Sequence, residues 1–209
     1  VPTAERGSVG RRGAAAVPGS CGELFQGVIG GSHIHVTCPV ELYSKATAIP
    51  LNGPAVVSSP PSPKAVRAVE LLLDRLGAPC GFAVSIARDM PVGKGMASST
   101  ADIAASCWAV ADALGVELTA DEVAELAISI EPSDGVIYPG IVAFDHVDGG
   151  SAKAIGRMEM DVVVIEPPAS LDTAMVAANR PAYDAGDLRK IEESYRMVVE
   201  GIASGDAGL

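Results

Sequence analysis

An α+β fold is predicted from three features of the 209-residue sequence. Strand-like and helix-like segments come in mixed runs, without strict β-α-β alternation. The apolar stock is small and aliphatic, and aromatic residues make up only 4%. Hydrophobic residues reach 48% against 20% charged, enough to bury the core of one large domain or two small ones.

Residues 1–13 read as a loose Gly- and Arg-containing tail without the apolar run of a secretory leader. Residues 34–38 and 42–49 are β-rich and bounded by Gly, Pro and Asn, so two strands are expected there. Residues 51–63 are proline-rich and read as a loop. Ser62 then offers a cap and Pro63 a first helical position. Val66, Val69, Leu72, Leu73 and Leu76 follow at helical spacing, and Gly77 is the stop. Residues 82–87 alternate as a strand. Residues 101–114 carry a helical stripe through Ile103, Cys107, Val110, Ala111 and Leu114, which ends at Gly115 and places Trp108 in the core. Thr119 and Glu122 form a capping box for a helix closed by Pro132. Strands over 136–144 and 161–165 and a helix over 188–202 complete the reading.

The net charge of −11 argues against gripping nucleic acid or an anionic membrane through bulk charge. The acidity is uneven: up to Pro63, Arg6, Arg11, Arg12 and Lys45 outnumber Glu5, Glu23 and Glu41. An acidic chain that handles an anion needs local help from backbone dipoles or a metal. Cys21, Cys38, Cys80 and Cys107 form no Cys-x-x-Cys pair, so a disulfide framework or zinc site is not expected and a reducing cytoplasm is. No run approaches the ~20 apolar residues of a membrane span.

The segment that carries chemistry is Pro91-Val92-Gly93-Lys94-Gly95-Met96-Ala97-Ser98-Ser99-Thr100. It joins a strand to a helix. Its glycines allow close backbone approach to a ligand, and the first free N–H groups of the helix point outward with the positive end of the dipole. Together they form an anion nest suited to phosphate. Lys94 adds a mobile cation, and Ser99 or Thr100 can offer oxygen to Mg²⁺. The plainer alternative is a turn in which Ser98 or Ser99 only caps the helix. The segment matches neither the Walker A loop nor the dinucleotide pattern.

In order and composition this loop resembles the phosphate loop of the GHMP kinase superfamily. The superfamily's N-terminal motif has a counterpart in PGSCGELFQG (residues 18–27). HVTCPVELYS (35–44), KGMASSTADIAAS (94–106), SIEPSD (129–134) and FDH (144–146) are similar to one branch, the L-threonine kinases of propanediol utilisation and cobalamin synthesis, with related kinases in aminocoumarin pathways. The resemblance implies a two-domain fold, with an ATP-binding N-terminal domain over 14–155 and the start of a C-terminal domain over 156–209. The third superfamily motif is not found before Leu209.

By the same resemblance, Pro91 and Gly93 to Thr100 would hold ATP, Ser99 and Glu131 would hold Mg²⁺, and Lys94 and Asp134 would serve catalysis, Asp134 as base. The acceptor site would draw on Ser20, Gly22, Glu23, Gln26, Asp145 and His146. Glu23 and Gln26 would meet the ammonium or carboxylate of an amino acid, although a solvated hairpin tip explains them equally well. The implied reaction is ATP-dependent phosphorylation of the L-threonine hydroxyl, with no nucleic-acid or membrane partner and a homodimer left open. Homoserine, serine or a sugar as acceptor, and a non-catalytic nucleotide-binding module, are the alternatives.

Overall fold

The computed structural model describes residues 11–150, 152–165 and 183–205. Strands β1 (Gly13–Ile29) and β2 (Ser32–Leu51) form a long antiparallel hairpin that turns at Gly30 and Gly31, both at positive φ. Two consecutive left-handed residues are what a tight hairpin turn needs, and glycine adopts them without steric cost. β2 is the spine of the sheet. One edge pairs with β1. On the other edge, its C-terminal half pairs with β4 (Gly81–Arg88) and its N-terminal half with β5 (Ile141–Asp145). β3 (Val56–Ser59) lies parallel to β4, and β6 (Ala152–Gly156) antiparallel to β5. The order is β3-β4-β2-β5-β6, with β1 joined to β2 off this path.

Helices α1 (Pro63–Leu76), α2 (Ser98–Leu114) and α3 (Ala120–Ile128) share the main core with Val17, Ala48, Phe82, Val84 and Phe144 of the sheet. α2 is buried on nearly every side because its alanines let neighbouring backbones come close. A Cβ on Gly13 would lie 2.0 Å from the carbonyl oxygen of Ala109. Helix α4 (Ala185–Ser204) sets Ile202 in a second cluster with Phe25, Ile34, Val36 and Ile141. Among the described residues no helix is long and apolar enough to cross a membrane.

The α+β architecture and the expected stops of α1 and α2 are present, Gly77 and Gly115 both being left-handed. The capping box of Thr119 and Glu122 forms as read. Other expectations need correction. β1 runs through residues 18–27, so Glu23 and Gln26 stand on a strand, away from the hairpin tip at Gly30 and Gly31. The proline-rich segment contains β3, paired to β4. The strand expected over 136–144 is a 3₁₀ turn, Gly135–Ile137, and then β5, because Asp134 caps the turn and Pro139–Gly140 breaks the chain before the strand. Residues 161–165 form no strand; Val163 and Ile165 are exposed, and their β-branched side chains have no neighbouring strand among the described residues to pair against. Trp108 packs at the margin of the core, its indole N–H donating to the Leu118 carbonyl. Residues 1–10 of the expected tail lie outside the described residues, and Gly13 already opens β1.

Candidate active site

The loop between β4 and α2 is anchored by two buried methionines, Met90 and Met96, with Gly93 and Gly95 exposed between them at φ 73° each. α2 begins at Ser98, earlier than the sequence suggests. Its cap is Ala97 at φ 53°, the one non-glycine at positive φ among the described residues, and no side chain caps the helix. A β-carbon is disfavoured there, and strain of this kind gathers at functional sites. The plain cap reading of Ser98 and Ser99 therefore fails. The Ser99 hydroxyl donates instead to the Glu131 carboxylate. Thr100, buried, accepts from the Asp134 N–H at 3.2 Å. The first N–H groups of α2 thus keep no side-chain cap of their own.

The N-terminal motif meets this loop directly. The Ser20 N–H donates to the Met96 carbonyl at 3.1 Å, and a Cβ on Gly19 would lie 2.6 Å from the Met90 sulfur and 2.9 Å from the Met96 oxygen. Only glycine fits at that crossing. Beyond Ser20, β1 loses register with β2: Ser20 faces Pro39 and Glu23 faces Thr37, so one residue of β1 is in excess. This is a β-bulge, with Gly22 at φ 66° and the Ser20 hydroxyl bonded to the Gly22 carbonyl. The bulge re-aims Glu23 toward the end of α3.

There Glu131 and Asp134 flank Pro132 and Ser133. Glu131 is held by Ser99 and by the Lys64 ammonium from the start of α1. The Asp134 carboxylate accepts from Val136 N–H at 3.1 Å. Burial, with a smaller push from the Glu23 charge, raises its carboxyl to about 7. Burial also raises Glu23. His35, on β2, places Nδ1 3.6 Å from the Glu23 carboxylate. Its ring stacks on His146 with centroids 3.7 Å apart.

The structure brings Glu23, Asp134 and the Ser99–Glu131 pair to one side of the phosphate loop. Asp145 is differently engaged: buried, its carboxylate accepts from the Val147 and Asp148 N–H groups and forms the turn after β5. Gln26 lies exposed on β1 opposite His35. Lys94 is half-buried in the loop.

Sequence reasoning missed His35, Lys64 and a buried network behind the loop. Asp102 of α2 accepts from the Arg88 guanidinium at 2.5–2.9 Å, from Ser44 at 2.7 Å and from Ser62 at 3.4 Å. A signal existed for Asp102, an acid inside the otherwise apolar run of a buried helix. None marked Lys64, whose partner lies 67 positions away.

Residues 63–140 match the family model described as GHMP kinases N terminal domain. The chain is 39% identical over 167 residues to the L-threonine kinase of Citrobacter freundii, covering 77% of this chain and 56% of that protein. It is 38% identical to the L-threonine kinase of Salmonella typhimurium, over 76% of this chain and 53% of that one. It thus spans about half the length of these curated relatives. The fold is that of a homoserine kinase from Cytophaga hutchinsonii, with TM-score 0.68 at 14% identity over 99% of this chain and 71% of that one. A Streptococcus pneumoniae phosphomevalonate kinase gives 0.66 at 13% identity, over 94% and 74%. The motif order, the uncapped helix at the phosphate loop and these likenesses agree, and the chain belongs to the GHMP kinase superfamily through its N-terminal domain.

Proposed function

We propose that this chain is the catalytic part of an ATP- and Mg²⁺-dependent kinase that phosphorylates the hydroxyl of L-threonine, yielding O-phospho-L-threonine. The observation that carries the reading is the convergence of Ser99, Glu131 and Asp134 at the uncapped start of α2. The acceptor is suggested by the two L-threonine kinases that align over three quarters of this chain.

The residues fit the implied groups. Gly93, Gly95 and the first N–H groups of α2 offer a phosphate nest. The Ser99 hydroxyl and Glu131 carboxylate meet under a Lys64 ammonium, so the pair already faces a cation and offers the hard oxygens that Mg²⁺ prefers. Bound there, Mg²⁺ would neutralise charge on the transferring phosphoryl group. A groove of about 510 Å³ between β3 and the first turns of α1, lined by Val57, Ser58, Pro61, Pro63 and Val66, suits the nucleoside. Lys94 lies in the loop where it would steady the transferred group.

Asp134 accepts the proton of the threonine hydroxyl. Its carboxyl, held near 7 by burial, is matched to proton transfer at neutral pH. The Thr100 hydroxyl fixes its backbone to the helix that holds the phosphates. Glu23, aimed by the bulge after Ser20 and Gly22, receives the substrate ammonium, and Gln26 and His146 border the same side. A reducing cytoplasm is the proposed setting, as the lack of any Cys-x-x-Cys pair in the sequence suggests.

The test is mass spectrometry of the product formed from ATP and a panel of L-threonine, L-serine, L-homoserine and a sugar, with ADP release measured alongside. Threonine should be phosphorylated well above the rest. Equal use of homoserine would replace the acceptor and keep the kinase. ATP binding with no ADP release above background for any acceptor would leave a non-catalytic nucleotide-binding module.

A further inference from the structure

Three separate segments deliver one ligating atom each to a single point. Glu23 comes from β1 beyond the bulge, His35 from β2, and Asp134 from the turn after α3; their ligating atoms all lie within 4.8 Å of one another. The donor set is one imidazole nitrogen and two carboxylate oxygens. Mg²⁺ and Ca²⁺ are served by oxygen alone, whereas an imidazole beside carboxylates suits a borderline first-row ion such as Zn²⁺.

The set is largely built in advance. The His35 ring is stacked on His146 at 13° between planes, which fixes the ring plane in which Nδ1 is directed at Glu23. The backbone of His146 is held on both sides: its N–H donates to the His33 carbonyl at 3.1 Å, and its own carbonyl accepts from Ser133, the residue before Asp134, at 3.0 Å. One short ladder therefore carries both His35 and Asp134. Zn²⁺ bonds near 2.0–2.2 Å in a tetrahedron bring ligand atoms to roughly 3.3 Å. His35 Nδ1 and the Glu23 carboxylate, at 3.6 Å, are already close to that separation, and Glu23, whose side chain keeps 25% of its surface exposed, can turn to complete the set. Two carboxyl groups desolvated side by side also gain from a shared divalent cation.

We infer that Glu23, His35 and Asp134 form a binding site for a borderline divalent transition-metal ion, separate from the Ser99–Glu131 pair assigned to Mg²⁺. The site overlaps the acceptor pocket of the proposed kinase. Resting on that reading, the ion occupies the Asp134 oxygen that would receive the hydroxyl proton. It therefore inhibits phosphoryl transfer, in competition with the acceptor and not with ATP.

The test is calorimetric titration of ZnCl₂ into the metal-stripped chain without nucleotide. One equivalent should bind and raise the melting temperature by mass action. His35→Gln and Glu23→Gln should each weaken binding at least tenfold. Ser99→Ala, Glu131→Gln and Cys21→Ser should stay within about twofold, and a large excess of Mg²⁺ should not displace the ion. Unchanged affinity in both His35→Gln and Glu23→Gln overturns the site. So does loss of binding in Ser99→Ala, Glu131→Gln or Cys21→Ser, or displacement by Mg²⁺. If His35→Gln does not fold, as judged by circular dichroism, the more exposed Glu23→Gln decides alone. These readouts use no catalysis, so they stand or fall apart from the threonine-kinase reading; the competition pattern is measured afterwards against acceptor and ATP.

Discussion

The Ser99 hydroxyl reaches across 32 positions of sequence to the carboxylate of Glu131, joining the first turn of α2 to the end of α3. Neither residue caps its own helix with that bond, and Lys64 closes on the same carboxylate. A hydroxyl–carboxylate pair already facing an ammonium is the arrangement on which the proposed Mg²⁺ site rests.

Ser99→Ala should weaken use of Mg·ATP more than binding of free ATP, since the backbone nest remains. Loss of one charge-assisted contact is worth roughly 1.5–3 kcal/mol, or about 10- to 150-fold. Glu131→Gln should raise the Mg²⁺ requirement further, a neutral amide being a poor ligand for a hard cation. Nucleotide titrations with and without Mg²⁺ check both; equal losses under the two conditions would reduce Ser99 to a packing role.

Asp134 gives the pH dependence a definite sign. Its carboxyl is held near 7 when folded and sits near ~3.9 when unfolded. Between those values the folded chain holds the extra proton, so stability falls as pH rises through that window. Asp134→Asn should flatten this decline in urea unfolding at pH 4 and pH 8. The same proton must leave before Asp134 can act as base, so kcat/KM should climb toward pH 7. Glu23→Gln should move that limb to lower pH, because the Glu23 charge is the second cause of the shift.

Ala97→Gly should stabilise the chain. The left-handed cap at φ 53° costs an alanine about 1 kcal/mol more than a glycine. Relief of that strain should raise the melting temperature by about 2–4 °C for a domain of this size. An unchanged or lower value would mean that the alanine methyl packs well enough to offset its backbone cost.

Asp102→Ala should be among the most damaging changes, since it leaves the Arg88 guanidinium in a largely buried place without its carboxylate. Removing one member of such a pair costs about 3–5 kcal/mol. Replacing both, as in Asp102→Leu with Arg88→Met, should recover much of this. Chemical denaturation of the single and double variants checks it; additive losses would show that Ser44 and Ser62 depend on Asp102 in their own right.

Local signals carried most of the helices into the sequence reading. Gly77, Gly115 and the Thr119–Glu122 box act within a few residues, so their outcome is written beside them. β1 was harder to see. Its segment 18–23 is rich in glycine and small polar residues because it crosses the phosphate loop at Gly19 and bulges at Gly22, and close crossing erases the alternation that marks a strand. The loop and the acidic turn were legible as motifs. Their meeting was not, since Ser99–Glu131, Lys64–Glu131 and Arg88–Asp102 are made only when distant elements pack.

The single bond from the Ser20 amide to the Met96 carbonyl gives the chain a built-in reporter. That amide belongs to β1, the strand that carries Glu23, yet its partner belongs to the loop before α2. Its proton can trade with solvent deuterium only when the two separate. Its exchange rate therefore measures how often the loop lifts from β1, free of any signal from chemistry. Nucleotide that closes the loop should slow it, and acceptor bound beside Glu23 should slow it again, so one resonance would read the coupling between the two substrates.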